Sequence, residues 1–433
     1  MVNNSYYKCK YCGCLLRLRY QVGVFDLPVS IYCPKCNGHI SGTIFVDNEN
    51  IGIKEQIIGT TRVLGDDYDY VVELSTEFLV NKCKKRDETT DIQISMFFRS
   101  DPFDSKRNER RARLLEFANE ANNHVSRIEN IYNLLGKGQV DLIKNYFLNS
   151  EDYFLVDVRK EKDFTQIKTE LDAMLATKHY LNYVLLPIMP DDAFSNILDI
   201  LNNKTKRIVS KHTFSLIEYL KYLSEDYFQT YLFRIPKFIT DYIKQVKQLI
   251  PIYDNYDRFD KIDLANQGIS TMSIDDMAVI YKKGFELLCD SIDLLIGLYN
   301  IEERGSYDNF EKGLKNFDEE LNKYSSKFNK YEAFTNNESD LFFGLKGVLN
   351  NVIRNAEGHN SIRVDGLNQN VTFVNNHKGV VKDLTISFLE FGKICIDLFV
   401  AVLYVWEYYY QFTKLKYVLV DGKKLNYGLE YKK

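Results

Sequence analysis

Proline and glycine are scarce in this sequence. Seven prolines and 22 glycines in 433 residues force few breaks, which favours long helices over a fold made of turns. An excess of charge of one sign is also missing. At a net charge of −4 no global basic field draws the chain to nucleic acid, so any such contact must use local patches. No apolar run approaches the roughly 20 residues that cross a bilayer. The most apolar stretch, 398–406, follows Lys393 and Asp397 and reads as a buried helix with no membrane role. The first residues show no apolar signal segment. Six histidines give a multi-histidine metal centre little to draw on. There is no glycine-rich phosphate loop followed by Lys-Ser/Thr, no HExxH and no GxSxG. Those gaps remove the P-loop, zincin and α/β-hydrolase chemistries.

What is present begins with cysteine. Four of the eight form Cys9-x-x-Cys12 and Cys33-x-x-Cys36, with 20 residues between the pairs. Two such turns can aim four thiolates at one ion and leave no position for water, the pattern of a structural zinc site. The spacing resembles a zinc ribbon, with zinc as a structural cofactor. Cys14 reads as a bystander and His39 as a weak substitute ligand. The other cysteines are scattered, which is a reduced pattern and not a disulfide framework, so the expected location is cytoplasmic.

Three regions follow from the patterning. Residues 1–48 hold the ribbon. Residues 49–265 are mixed, with β-like text to about 98 and then helical periodicity. Lys106, Arg107, Arg110, Arg111 and Arg113 and the basic run 82–86 read as solvated faces, with RNA phosphates as the second reading. Residues 266–433 are helical with a hairpin tail at Asp421-Gly422. A serine cap at Ser273 with Asp276 three residues on opens one helix. Others are expected over 307–328 and from 338 to Arg354. Segments 369–374 and 380–385 look extended. The capping box Ser387–Glu390 opens a last long helix whose aromatic stretch, 404–412, reads as core or dimer interface.

The sequence Arg354-Asn355-Ala356-Glu357-Gly358-His359 closes a helix. RNA cleavage by internal attack requires the 2′-oxygen to lose a proton, the 5′-oxygen to gain one and the phosphorane charge to be offset. Imidazole moves protons near neutral pH, and guanidinium grips phosphate oxygens. An arginine, an adjacent polar residue and a histidine after four intervening residues, followed by a hairpin and a long helix, resemble the signature of the HEPN superfamily. The resemblance spans roughly residues 270–412. It implies an all-helical bundle and a metal-independent endoribonuclease of the abortive-infection (antiphage) or toxin–antitoxin kind. RNA would be the substrate, a homodimer would join two motifs, and a regulatory or antitoxin protein would be a further partner. Arg354 would bind the scissile phosphate, His359 would move protons and Asn355 would orient either group, with no catalytic cofactor. A second match, Arg207 and His212, opens a helix beside an apolar residue and reads as a surface pair, with a second catalytic motif as the alternative. Glu357 and Asn360 read as solvated residues or as orienters of His359. A non-catalytic reading stays open: an adaptor that binds RNA or protein, with Arg354 and His359 in structural roles. The expected fold is mainly α, with a small N-terminal β zinc ribbon, a helical middle region and a C-terminal HEPN-like helical bundle.

Overall fold

The computed structural model describes residues 2–47, 52–88, 94–101, 103–150, 155, 156, 158, 159, 162–310, 316–377 and 380–427. The chain groups into two compact units. One comprises Met1–Ala121, Lys244–Lys282 and Asn350–Asp397, the other Asn122–Ile243, Lys283–Leu349 and Leu398–Lys433.

The first unit is built from small sheets. Strand β1 (Val2–Cys9) pairs antiparallel with β2 (Leu15–Gln21), and β3 (Leu27–Tyr32) with β4 (His39–Asp47). In β2, Leu16, Leu18 and Tyr20 are buried at alternate positions, as the two-residue period of a strand dictates. β5 (Gly52–Ile58) extends the second hairpin, and β6 (Thr60–Arg62) joins the edge of β1. β7 (Tyr70–Ser75) lies parallel to β2, Leu16 facing Tyr70 and Gln21 facing Ser75. With β8 (Val80–Asn81) paired to residues 267–268 and β9 (Lys84–Lys85) added to β7, the sheets have orders β6-β1-β2-β7-β9 and β3-β4-β5. After the short β10 (Gln267–Gly268) come β11 (Ile362–Asp365), β12 (Asn370–His377) and β13 (Val380–Ser387), an antiparallel meander. Val371 and Phe373 are fully buried in it, and Phe373 meets Phe391 edge-on at 5.0 Å.

The second unit is helical and aromatic. Its helices include Glu170–Leu185, Asp191–Tyr222 and Glu225–Ile243. Tyr180, Tyr219, Tyr404, Tyr408, Phe147 and Phe164 are among its largest fully buried side chains. Tyr242 stacks on Phe399 with centroids 4.0 Å apart and planes within 7°. Lys178 and Glu407 form a buried ion pair at 2.7 Å, with the ammonium 3.9 Å from the centre of the Trp406 ring. All of the stretch 398–406 except the half-buried Val400 is buried, as expected, and no helix among the described residues is long and apolar enough to cross a membrane.

These observations correct the expected fold class. The chain is 57 % helix and 17 % strand in several small sheets, not a mainly α chain ending in a HEPN-like helical bundle. The β part does not stop at a small ribbon, because β7 returns to pair beside β2. The meander β11-β12-β13 also interrupts the C-terminal helices.

Local expectations change as well. No helix runs from 338 to Arg354: Asp340–Phe342 is a single 3-10 turn. Gly347 then takes a left-handed φ of 73° that a helix cannot continue through, and Asn350 starts a new helix by accepting the Val352 N–H. Within 307–328, where 311–315 lie outside the described residues, Asn316 and Ser326 cap separate short helices, Phe317–Asn322 and Lys327–Thr335. Met96–Arg99 is a helical turn capped by Ser95, not a strand. Among the described residues the tail forms no hairpin: Phe388–Leu415 runs on into a π turn at Lys416–Val420.

Candidate functional site

The two cysteine pairs meet. Each occupies the tight turn of a hairpin, the first between β1 and β2, the second between β3 and β4. The turns repeat one hydrogen-bond pattern. The Cys9 N–H donates to Cys14 O at 2.9 Å and the Gly13 N–H to Cys9 O at 2.9 Å. In the second turn the Cys33 N–H donates to Gly38 O at 2.9 Å and the Asn37 N–H to Cys33 O at 2.8 Å. The residue after each second cysteine is left-handed, Gly13 at φ 75° and Asn37 at φ 57°. Glycine and asparagine tolerate that region best. Four sulfurs result, all within 4.8 Å of one another. Cys9 and Cys36 are 3.8 Å apart, and Cys12 and Cys33 3.7 Å. Cys9 and Cys33 are buried, whereas Cys36 is exposed. The set is close enough to share one metal ion.

Cys14 and His39 stand outside this group. His39 bonds Ser30 Oγ at 3.0 Å and stacks on Tyr32 at 4.9 Å. Two supports of the cluster were not visible in the sequence. Glu55 of β5 accepts hydrogen bonds from Ser5, from Tyr7 at 2.6 Å and from Tyr20 at 2.6 Å, with Arg62 at 3.4 Å. Burial opposes its charge, yet the bonds from Ser5, Tyr20 and Tyr7 and the charge of Arg62 hold its carboxyl below the usual range. Asn37 Oδ1 accepts the Gly366 N–H at 2.9 Å, which ties the second turn to the β11–β12 loop. Both join residues far apart in sequence, so no local spacing announces them.

Arg354, Asn355 and His359 lie on the helix Asn351–Gly358 and its C-terminal cap. Ile353 and Ala356 form its buried stripe. Arg354 and Asn355 are half-buried, and His359 is exposed. Arg354 Nη1 donates to Asn355 Oδ1 at 3.1 Å, and the His359 N–H donates to Asn355 O at 3.0 Å. Asn360 turns left-handed at φ 51° and ends the helix. Glu357 is paired with Lys282 at 2.7 Å. The motif thus sits at a helix end, though the helix has eight residues and is not the long one expected.

The second match is placed differently. Arg207 lies 3.3 Å from Glu302, and His212 sits at a kink within the helix Asp191–Tyr222. His212 is non-helical, at φ −133° and ψ 34°, so the pair ends one helical segment and the next opens after it. The basic segment is not one solvated face: Lys106 and Arg113 are exposed, but Arg107 and Arg111 turn inward to Asp254.

No family model matches the chain, and comparisons with curated proteins and with solved structures also give no match.

Proposed function

We propose that the four cysteines hold one structural zinc ion and that the chain is a metal-independent endoribonuclease effector working as a homodimer. Donor type and spacing support zinc. A tetrahedron with Zn–S bonds of about 2.3 Å has edges of about 3.8 Å, and the sulfur separations of 3.8 and 3.7 Å match it. With four cysteine donors the ion would staple two hairpins and take no part in chemistry. Free thiols of this kind suit a reducing compartment such as the cytoplasm.

One observation carries the cleavage reading: a guanidinium, a carboxamide and an imidazole share one helix end, with His359 open to solvent. The motif's resemblance to the HEPN signature supports the same reading; the fold does not. Arg354 would pair with the non-bridging phosphate oxygens. The 2′-hydroxyl gives its proton to one imidazole, the 2′-oxygen bonds to phosphorus, and the 5′-oxygen leaves with a proton from a second imidazole. One chain supplies one His359, so a second copy completes the set. Such an effector needs restraint, which fits a regulatory or antitoxin partner.

The test is RNA cleavage with EDTA present. Arg354→Ala and His359→Ala should each cut the rate by about 100-fold or more while zinc content and circular dichroism stay unchanged. Full activity in the double variant sinks the proposal. The second reading, an adaptor that binds RNA or protein without cutting, is favoured by the Arg354–Asn355 bond and the Lys282–Glu357 pair. These give the helix end structural partners. RNA that is bound but left intact would select it.

A further inference from the structure

Away from both sites, the first unit contains a cavity of about 250 Å³ whose charged lining residues are Arg99, Arg107, Arg258, Lys261, Asp101 and Asp254. Four of these side chains are cationic and two are acidic. Behind the wall lie Arg19 and Arg111, with Glu73 and Glu77. Asp254, whose side chain is 2 % exposed, is shared between Arg107 and Arg111. Glu73, 5 % exposed, is shared between Arg19 and Arg99. Each buried carboxylate therefore faces two buried or half-buried guanidiniums. Glu77 also stands near Arg111; burial raises its carboxyl and the charge of Arg111 lowers it. Arg258 reaches Asp101 and Asp104 only at 4.0 and 3.7 Å.

The donors are also in surplus. Arg107 gives Nη1 to Ser100 O and Nη2 to Asp254 and Asn255. Among the described residues no acceptor reaches its buried Nε or the buried Nε of Arg99. Guanidinium groups are rarely buried without full pairing. A cationic lining around a small cavity is what an oxyanion with several acceptor oxygens would satisfy.

We propose that this cavity binds a phosphate dianion, either free or as the terminal group of a small phosphorylated metabolite. A dianion would balance the two surplus cations of the lining, where a monocarboxylate would balance one. The volume lies just below the range of about 300–1,000 Å³ that holds whole drug-sized ligands. It admits a phosphate and a short organic remainder but no length of polymer. The site does not depend on the RNA-cleavage reading, since none of its residues belongs to the Arg354–His359 helix end.

Isothermal titration of the full-length protein at fixed ionic strength tests it, with inorganic phosphate, ribose 5-phosphate, a phosphodiester-only oligonucleotide and chloride as probes. Saturable binding of phosphate or of ribose 5-phosphate is expected, and the tighter of the two identifies the source. Arg258→Gln and Lys261→Gln, both at the rim, should each weaken binding about tenfold, while Lys106→Gln, exposed and outside the cavity, should not. Arg107→Gln should abolish binding, but the rim variants decide the question if that variant fails to fold. Absence of saturable binding, equal heats from chloride, binding of the oligonucleotide alone, or binding indifferent to both rim variants would overturn the proposal.

Discussion

The two units use different means of cohesion. The first has short strands and small sheets, and beside an apolar core it relies on charged and polar groups: the four-cysteine cluster, the Glu55 carboxylate with its three hydroxyl donors, and arginines that share acids. The second fills its interior with phenyl and phenol rings on long helices. Apolar burial is non-directional and tolerates small shifts, whereas ligand sets and charge clusters fail when one member is lost. The first unit should therefore break at single residues, and the second should erode by volume.

The largest expected effect tests that contrast directly. Cys12→Ser or Cys33→Ser should abolish zinc retention and unfold the first unit, because structural zinc sites contribute of order 10 kcal/mol to folding. Trp406, the one tryptophan in the sequence, belongs to the second unit, so its fluorescence follows that unit separately. Elemental analysis and loss of the strand signal in circular dichroism, with the Trp406 transition retained, is the expected outcome. Simultaneous loss of both signals would break the comparison.

Next in size is Phe399→Ala. It removes the ring stacked on Tyr242 from a fully buried site and should cost about 3–5 kcal/mol. Chemical denaturation followed at Trp406 should show it, with zinc content unchanged.

The smallest effect is acid sensitivity of the second unit. Burial, then the charges of Lys162 and Lys178, push His179 down to about 4. The unfolded chain takes up that proton first, near pH 6.5, so stability falls as pH drops from about 6.5 towards 4. Asp172 extends the decline. Burial opposes its charge, but the N–H groups of Tyr427, Asn426 and Lys168 and the Asn426 side chain hold it below the usual carboxylate range. Its contribution is therefore lost as pH falls through that lowered value. His179→Gln should flatten the upper part of the profile of melting temperature against pH; an unchanged profile would remove His179 as the cause.

What the sequence made legible was local. The Cys9/Cys12 and Cys33/Cys36 turns came together because hairpin chemistry and thiol spacing lie within a few residues. The Ser387–Glu390 box is reciprocal as expected, Glu390 accepting from Ser387 N at 2.8 Å and the Glu390 N–H bonding Ser387 Oγ at 3.2 Å. The Ser273 cap also forms, on the Asp276 N–H. The failures have physical causes. Apolar spacing through 341–352 imitated a helix, while the left-handed Gly347 and the Asn350 cap decided otherwise. The Asp421-Gly422 pair looked like a hairpin turn, but no partner strand follows it among the described residues. The parallel β2–β7 pairing and the Arg111–Asp254 pair join residues 54 and 143 positions apart, beyond the reach of any periodicity. For Arg354, Asn355 and His359 the shared helix end was legible, and the surroundings of that end were not.

The bond from Gly366 to Asn37 spans 329 residues of chain. On the ribosome, at roughly 5–20 residues per second, the four thiols emerge early and can capture an ion at once. The outer brace of the second turn arrives tens of seconds later. A nascent chain would therefore carry an unbraced hairpin, with any ion its thiols have captured, while residues 37–366 are made, and termination before residue 366 would leave it in that state.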